Sequence, residues 1–205
     1  MGLSLIYRNR VAYELMMLVL YGRHYAGRYE AIANFIPRGA DVLELCCGPG
    51  VLYERYLRHK NVRYRGLDIN TKFVNDLERR GIAAERWDLR SDRPLPHAEY
   101  VIMQASLYHF LPDAAPVLDR MLEAAEKEVI IAEPIRNLSS SKVPIIARFS
   151  RTMTDPGVGS AANRFVEKTL DELAGRYRNL VRESFLAPGG REKIYVFNKV
   201  VATVK

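Results

Sequence analysis

The turn Gly48-Pro49-Gly50 is the feature of this sequence whose chemistry is easiest to state. An apolar run at residues 41–46 precedes it and predicts a β-strand, and a helical pattern begins at residue 51. A glycine turn between a strand and a helix lets the backbone approach a nucleotide-like cofactor closely, because no Cβ intervenes. A dinucleotide fingerprint needs a third glycine, and Tyr53 stands in its place. The turn therefore predicts a cofactor site but argues against a nicotinamide dinucleotide.

Two acidic residues end the next two predicted strands. Asp68 closes the strand predicted at 62–68, and Asp88 closes the strand predicted at 82–88. An acid at the end of such a strand accepts hydrogen bonds from ribose hydroxyls in nucleotide-binding sheets. An Asp at the same place also serves as a helix cap. Asp68 and Asp88 are therefore candidate cofactor ligands because both follow the glycine turn in register.

Strands and helices alternate along most of the chain, which predicts an α/β fold. The pattern indicates a doubly wound, seven-stranded, mostly parallel sheet with an antiparallel C-terminal hairpin strand and helices on both faces. The remaining strands are expected at 98–105, 128–134, 181–187 and within 191–204, and the helices at 4–21, 25–36, 51–59, 71–80, 113–127 and 166–178. The turn at 188–190 forms the terminal hairpin.

The domain organisation is expected to be simple. A chain of 205 residues buries one sizeable core, so we predict a single domain over residues 1–205. Residues 1–38 form an N-terminal helical lid in this prediction, and residues 133–165 form a second lid that interrupts the alternation of strands and helices. Long insertions of this kind are usually functional.

Charge and composition restrict the classes of partner and compartment. Basic residues outnumber acidic ones eighteen to eight in residues 1–40 and 136–205, whereas the middle of the chain has thirteen basic and sixteen acidic residues. The positive ends favour an anionic partner, although a solvated basic surface explains them equally well. The apolar run at 15–22 is too short to span a membrane, and we favour its packing in the core over contact with a membrane surface.

The cysteines and the N-terminus carry the remaining expectations about compartment and metals. Cys46 and Cys47 are adjacent, so they predict neither an ordinary disulfide nor a metal site. The sequence begins without a charged leader and a cleavage site. We therefore expect a cytoplasmic protein, and nothing in the sequence indicates an obligatory protein partner.

The segment from Glu44 to Gly50, the two strand-end acids and the closing hairpin together resemble the Rossmann-like S-adenosylmethionine-dependent methyltransferases, of the type that acts on small molecules. The resemblance extends from about residue 40 to the C-terminus. It implies S-adenosyl-L-methionine as cofactor and S-adenosyl-L-homocysteine as product. Asp68 would accept the ribose hydroxyls, and Asp88 would accept the adenine amino group. The other implied cofactor contacts are Glu44, Cys46, Gly48, Gly50, Ile69, Leu89, Gln104 and Ala105.

The segment after the fourth strand, residues 104–110, faces the methyl group in this resemblance. His109 is the candidate catalytic residue, since an imidazole can accept a proton at neutral pH, although a packing role remains open. Tyr108 and Tyr21 are candidate substrate contacts. Arg148, in the second lid, is a candidate partner for an anionic group of a partly apolar substrate.

Three functions follow from these observations. The favoured one is O-, N- or C-methylation of a small molecule that combines an anionic group with an apolar body. An RNA or protein methyltransferase that uses the basic C-terminal half is the first alternative. Nucleic acid is disfavoured as substrate because QASLYH stands where many amino-methylating nucleic-acid enzymes have an Asn/Asp-Pro-Pro-Tyr motif. A cofactor-binding module without catalysis is the second alternative.

Overall fold

Seven strands form the sheet at the centre of the structure, a computed structural model that describes residues 10–135 and 164–199. The strands are β1 (Asp41–Leu45), β2 (Arg63–Asp68), β3 (Ala84–Arg86), β4 (Ala98–Gln104), β5 (Ala125–Pro134), β6 (Val181–Leu186) and β7 (Glu192–Asn198). Their order in the sheet is β3-β2-β1-β4-β5-β7-β6. Neighbours from β3 to β5 are parallel, and β7 is antiparallel to both β5 and β6. The predicted fold class is confirmed.

Helices cover both faces of this sheet. The α-helices are α1 (Arg10–Tyr21), α2 (Tyr25–Ala33), α3 (Thr71–Arg79), α4 (Ala115–Ala124) and α5 (Glu167–Gly175). A π-helix spans Tyr53–Leu57, and 3-10 turns span Gly22–His24, Arg58–Lys60 and Leu107–Phe110. Because successive side chains of a strand point to opposite faces, the core divides into two clusters. One contains buried residues of α4 and α5, and the other those of α1, α2 and the π-helix.

Several predicted boundaries were wrong. Helix α4 ends at Ala124 and β5 begins at Ala125, three residues before the predicted strand, because Ala125 continues the pairing with Ala98. Strand β3 ends at Arg86, which leaves Asp88 in the turn beyond it. The helix predicted at 51–59 instead contains the π-helix and a 3-10 turn. Strand pairing overrides local propensity at the boundaries of β3 and β5.

Helix α1 packs in the core with one face only. Met17 and Tyr21 are buried, but the exposed large hydrophobic residues include Val11, Leu15, Leu18 and Val19. The expectation that the apolar run packs in the core is therefore wrong for its outer face. No described helix has the length and apolar content that crossing a membrane requires. Residues 1–9 and most of the predicted second lid, 136–163, lie outside the described residues, and Arg148 lies there too.

Candidate active site

The turn after β1 has the backbone conformation that its glycines predict. Gly48 has φ 55 and Gly50 has φ 74, both in the left-handed region where a Cβ is strained. A Cβ on Gly50 would also lie 2.5 Å from Cδ2 of Leu77. A Cβ on Gly48 would meet no heavy atom within 4 Å. Gly50 therefore packs the turn against α3, while the space beside Gly48 is open to a ligand.

Asp68 joins the end of β2 to this turn. Its side chain is buried, Oδ2 accepts a hydrogen bond from the Gly48 amide at 2.8 Å, and Oδ1 accepts one from the Asn70 amide at 2.7 Å. Burial raises the pKa of this carboxyl, and the two amide hydrogen bonds oppose the shift. Each carboxylate oxygen has two acceptor lone pairs, so each retains capacity for a ligand hydroxyl.

Glu44 is buried within β1 near this aspartate. The hydroxyl of Tyr64 donates to its Oε2 at 2.7 Å, and burial raises the pKa of Glu44 to about 8. Tyr53, which occupies the third-glycine position, stacks on Tyr64 at 4.2 Å between ring centroids. Cys46 adopts φ 53, and burial raises its thiol pKa, which disfavours a reactive thiolate. Glu44 and Cys46, which precede the turn, are therefore largely shielded from solvent.

The predicted adenine contacts have unequal surroundings. Ile69 is half-buried beside Asp68, whereas Leu89 is buried in the core cluster that contains α4. Asp88 is exposed, and its Oδ1 accepts the Arg90 amide at 2.9 Å. The carboxylate of Asp88 therefore stabilises the turn after β3, as the capping alternative predicts, and its role as a ligand stays a prediction.

Glu133 fixes the segment after β4. This side chain is fully buried at the end of β5, and its Oε1 accepts the amides of Ser106 and Leu107 at 2.8 Å each. The Tyr108 amide lies 3.4 Å from Oε2. Burial raises the pKa of Glu133 to about 7. This residue is not among the predicted site residues, although an acid directly after a run of buried β5 residues was a detectable signal.

Glu133 thereby holds the candidate catalytic segment, residues 104–110, at the end of β4. Gln104 ends β4 and Ala105 follows it with φ 50, and both residues are half-buried. The rings of Tyr108 and His109 lie 4.0 Å apart, and the guanidinium of Arg164 lies 3.5 Å above the Tyr108 ring. His109 is half-buried.

A buried ion pair joins α2 to the start of β7. The Nε and Nη2 atoms of Arg28 both donate to the carboxylate of Glu192, and Nε lies 3.0 Å from Oε2. Tyr21 donates its hydroxyl to Oε1 at 2.6 Å, and Gln104 donates Nε2 to Oε2 at 3.3 Å. Tyr21 and Gln104 are among the predicted site residues, but the Arg28–Glu192 pair was not predicted. A signal was present, since Arg28 lies three and four residues from apolar members of α2 on its buried face.

These elements meet at one edge of the sheet. Strands β1, β2, β4 and β5 are parallel, so their carboxyl ends, which carry Gly48, Asp68, Gln104 and Glu133, share that edge. Glu192 pairs with Pro134 and begins β7 there. In doubly wound sheets the ligand binds in the crevice outside the carboxyl ends, where the strand order reverses. That point lies between β1 and β4, next to the predicted cofactor residues.

Three comparisons with known proteins bear on the predicted resemblance to methyltransferases. A profile described as methionine biosynthesis protein MetW matches residues 27–147. Trans-aconitate 2-methyltransferase of Mycobacterium tuberculosis (strain ATCC 25177 / H37Ra) is 34% identical over 98 residues, which cover 46% of this chain and 37% of that protein. The match thus spans little more than a third of this curated relative.

Solved structures resemble this chain over most of its length. Magnesium protoporphyrin IX methyltransferase from Synechocystis PCC 6803, crystallised with bound SAH, has a TM-score of 0.64 at 16% identity, covering 93% of this chain and 88% of that one. A possible histamine N-methyltransferase from Thermotoga maritima has a TM-score of 0.63 at 16% identity, covering 95% and 98%. These likenesses concern the fold.

The profile match, the curated relative and the solved structures together confirm the predicted resemblance to the Rossmann-like S-adenosylmethionine-dependent methyltransferases. The profile match covers more than half of the chain. This protein belongs to the family described as methionine biosynthesis protein MetW.

Proposed function

We propose that this protein transfers a methyl group from S-adenosylmethionine to a small molecule. The observation that carries the proposal is the hydrogen bond between the buried Asp68 carboxylate and the Gly48 amide. It joins a strand-end acid to a glycine turn with open space beside it. An acid and a turn so placed fit the ribose and the amino-acid part of such a cofactor.

The other predicted cofactor residues fit around this pair. Ile69 and Leu89 offer apolar contact to adenine, and Asp88 an acceptor for its amino group. Glu44, Cys46, Gln104 and Ala105 line the amino-acid end. When bound, S-adenosylmethionine supplies a methyl group activated by a sulfonium. The protein's contribution is alignment, since holding the reactants in line is worth up to about 7–11 kcal/mol.

In this proposal the methyl acceptor binds beside residues 104–110, the segment whose amides hydrogen-bond to Glu133. In this proposal His109 accepts the proton that an oxygen, nitrogen or carbon acceptor releases, and Tyr108 contacts the acceptor. Two similar proteins are named for trans-aconitate and magnesium protoporphyrin IX, and a third for a possible action on histamine. These names support a small-molecule acceptor and leave its identity open. Tyr21 and Arg148 stay candidate acceptor contacts.

Calorimetry with S-adenosylhomocysteine tests the proposal. Asp68→Asn preserves shape but removes a charged acceptor, so we expect affinity to fall roughly ten- to a hundredfold, equivalent to about 1.5–3 kcal/mol. Asp92→Asn is the matched control, because Asp92 is exposed in the loop after β3. Absence of binding by the folded wild-type protein at millimolar ligand would overturn the proposal.

A further inference from the structure

Arg80, which directly follows α3, hydrogen-bonds to the glycine turn. Its Nη2 donates to the carbonyl oxygen of Pro49 at 2.9 Å, although the two residues are 31 positions apart in the sequence. Pro49 stands between Gly48 and Gly50, so this carbonyl lies at the centre of the turn. The Arg80 side chain is only 21% exposed. A charged and largely enclosed donor therefore contacts the turn from the side of α3.

Carboxylates on two elements hold the Arg80 guanidinium in place. Its Nη1 lies 2.9 Å from Oε1 of Glu54, in the π-helix, and its Nη2 lies 3.0 Å from Oδ2 of Asp76, in α3. Nε also donates to the main-chain oxygen of Asp76 at 3.2 Å. Both carboxylates are at least two-thirds buried, so salt screens these pairs less than pairs at the surface. The donor that reaches Pro49 is therefore fixed in orientation by its neighbours.

The hydrogen bond from Arg80 fixes one peptide group of the turn. The amide of Gly50 donates to the carbonyl of Cys47 at 3.0 Å, which closes a four-residue β-turn. Gly48 has φ 55 and the ring of Pro49 holds its φ near about −65°, a combination that defines a type II′ turn. The Pro49 carbonyl and the Gly50 amide belong to one planar peptide group. Because Arg80 donates to one end of this group and Cys47 accepts from the other, its orientation is set from both ends.

The two sides of the turn have different surroundings. The amide of Gly48 donates to Asp68, and a Cβ on Gly48 would meet no heavy atom within 4 Å. A Cβ on Gly50 would instead lie 2.5 Å from Cδ2 of Leu77, three residues before Arg80. Arg80 therefore holds the turn on the side that packs against α3, whereas the cofactor is proposed to bind in the open space beside Gly48.

We propose that Arg80 is a positioning residue for cofactor binding. It holds the Pro49 peptide so that the turn keeps the shape that the amino-acid part of the cofactor needs, and it does not touch the cofactor itself. This inference rests on the proposed function, because the turn needs a fixed shape only if it binds that ligand. Loss of Arg80 should therefore weaken a ligand that contacts the turn and spare one that does not.

Calorimetry with two ligands tests this selectivity. S-adenosylhomocysteine carries the amino-acid part, and 5′-methylthioadenosine lacks it. Arg80→Met keeps a long apolar side chain but donates no hydrogen bond. We expect this variant to bind S-adenosylhomocysteine about tenfold more weakly and 5′-methylthioadenosine less than about twofold more weakly.

Two control variants distinguish positioning from a general effect on the fold. Arg79 pairs with the same Asp76, but it is 75% exposed and its hydrogen bonds run to Asp76 and Asn75 within α3. Val62 is buried directly before β2, at the opposite end of that strand from the turn, so Val62→Ala lowers stability without reaching the site. Arg79→Met and Val62→Ala should each change both affinities by less than about twofold.

The outcomes separate this inference from the proposed function. Failure of both ligands to bind the folded wild-type protein contradicts the proposed function itself. Binding of both with an Arg80→Met variant that weakens neither, or weakens both equally, overturns the inference alone. An equally selective loss in Arg79→Met or Val62→Ala overturns it too, and these controls decide alone if only S-adenosylhomocysteine binds.

A second variant keeps the inference testable if Arg80→Met does not fold. Asp76→Asn removes the charge that anchors Nη2 of Arg80. We expect this variant to bind S-adenosylhomocysteine about threefold more weakly and to leave 5′-methylthioadenosine unchanged. Equal affinities of Asp76→Asn and the wild type for S-adenosylhomocysteine would then refute the positioning role.

Discussion

The β1–β2 side and the β4–β5–β7 side of the carboxyl edge are assembled from different ranges of sequence. Gly48 and Asp68, which hydrogen-bond on the first side, are 20 residues apart. Arg28 and Glu192, which pair on the second, are 164 residues apart. The first side therefore takes its geometry from one strand-helix-strand unit, whereas the second forms only when α2 and the terminal hairpin meet.

The two sides also differ in the donors that satisfy their buried carboxyl groups. Glu44 and Asp68 accept hydrogen bonds from a tyrosine and from backbone amides. Glu192 accepts from a guanidinium, whose burial is costly unless it is paired. We therefore expect the Gly48–Asp68 contact and the Arg28–Glu192 pair to respond separately to substitution.

The largest expected effect comes from removing the Arg28–Glu192 pair on the β4–β5–β7 side. Glu192→Ala leaves Arg28 buried and unpaired, so we expect the free energy of unfolding to fall by about 3–5 kcal/mol. Asp41→Ala removes an exposed pair with Arg63 and should cost less than about 1 kcal/mol. Urea denaturation measures both. Equal losses for the two variants would show that the buried pair is not a structural link between α2 and β7.

The next largest effect comes from substituting Gly50 in the turn on the β1–β2 side. Gly50→Ala combines a strained φ with a close approach to Leu77, and we expect a loss of about 2–4 kcal/mol in the free energy of unfolding. Gly81→Ala has a similar φ of 69 but open space around its Cβ, so it should cost only about 1–2 kcal/mol. The difference between the two, measured in urea, isolates the packing contribution. A larger loss for Gly81→Ala would contradict this account.

The β1–β2 side could be predicted from the sequence because the residues that form it lie close together along the chain. A strand, a glycine turn and a second strand ending in Asp68 follow one another in the order that the structure retains. Arg28 and Glu192 could not be paired from sequence, since nothing in either segment specifies which distant charge it will meet. The place of Glu133 after a run of buried residues was detectable, but its partners were not, because they are amides of a turn 26 and 27 residues away.

Boundaries failed where a tertiary contact decides them. Asp88 looked like the end of a strand, but pairing with β2 stops at Arg86 and the acid stabilises the following turn. The outer face of α1 looked like core because its composition is apolar. Composition cannot distinguish a residue that packs from one, such as Leu15, that stays exposed.

A third test compares the two sides through pH. The pKa of Glu44 is raised to about 8 from 4.5, so between these values the folded protein binds a proton that the unfolded chain releases. Stability should therefore decrease as pH rises through this window. For Glu44→Gln we expect the loss between pH 6 and 8 to be smaller by about 1–2 kcal/mol. Glu133→Gln should act in the same direction with an earlier end, near pH 7.

Denaturation in urea at several pH values gives these slopes. Glu123→Gln is the control, because Glu123 is exposed on α4, and its curve should follow the wild type. A wild-type stability that rises between pH 6 and 8 would contradict burial as the dominant influence on Glu44. If the decrease in the free energy of unfolding with pH persists in Glu44→Gln and vanishes in Glu133→Gln, the group responsible is Glu133, on the β4–β5–β7 side.

The smallest expected effect concerns the two non-glycine residues that have left-handed backbone at this edge. Cys46 follows β1 with φ 53, and Ala105 follows β4 with φ 50. Glycine relieves about 1–2 kcal/mol of strain at such a position, but it adds about 0.4–1 kcal/mol of conformational entropy to the unfolded chain. Ala105→Gly should therefore raise the free energy of unfolding by roughly 0.5–1 kcal/mol.

Cys46→Gly should gain less, because it also removes a largely buried thiol that interacts with Ser106 across the crevice. Ala98→Gly, at the first residue of β4 and without a left-handed φ, should instead lose about 0.5–1 kcal/mol. Precise thermal denaturation resolves these shifts. If Ala105→Gly destabilises the protein as much as Ala98→Gly does, the bend after β4 carries no strain, because glycine then gains nothing from the left-handed φ. If Cys46→Gly stabilises the protein in that case, the two strand ends differ in backbone energy as well as in the range of sequence that builds them.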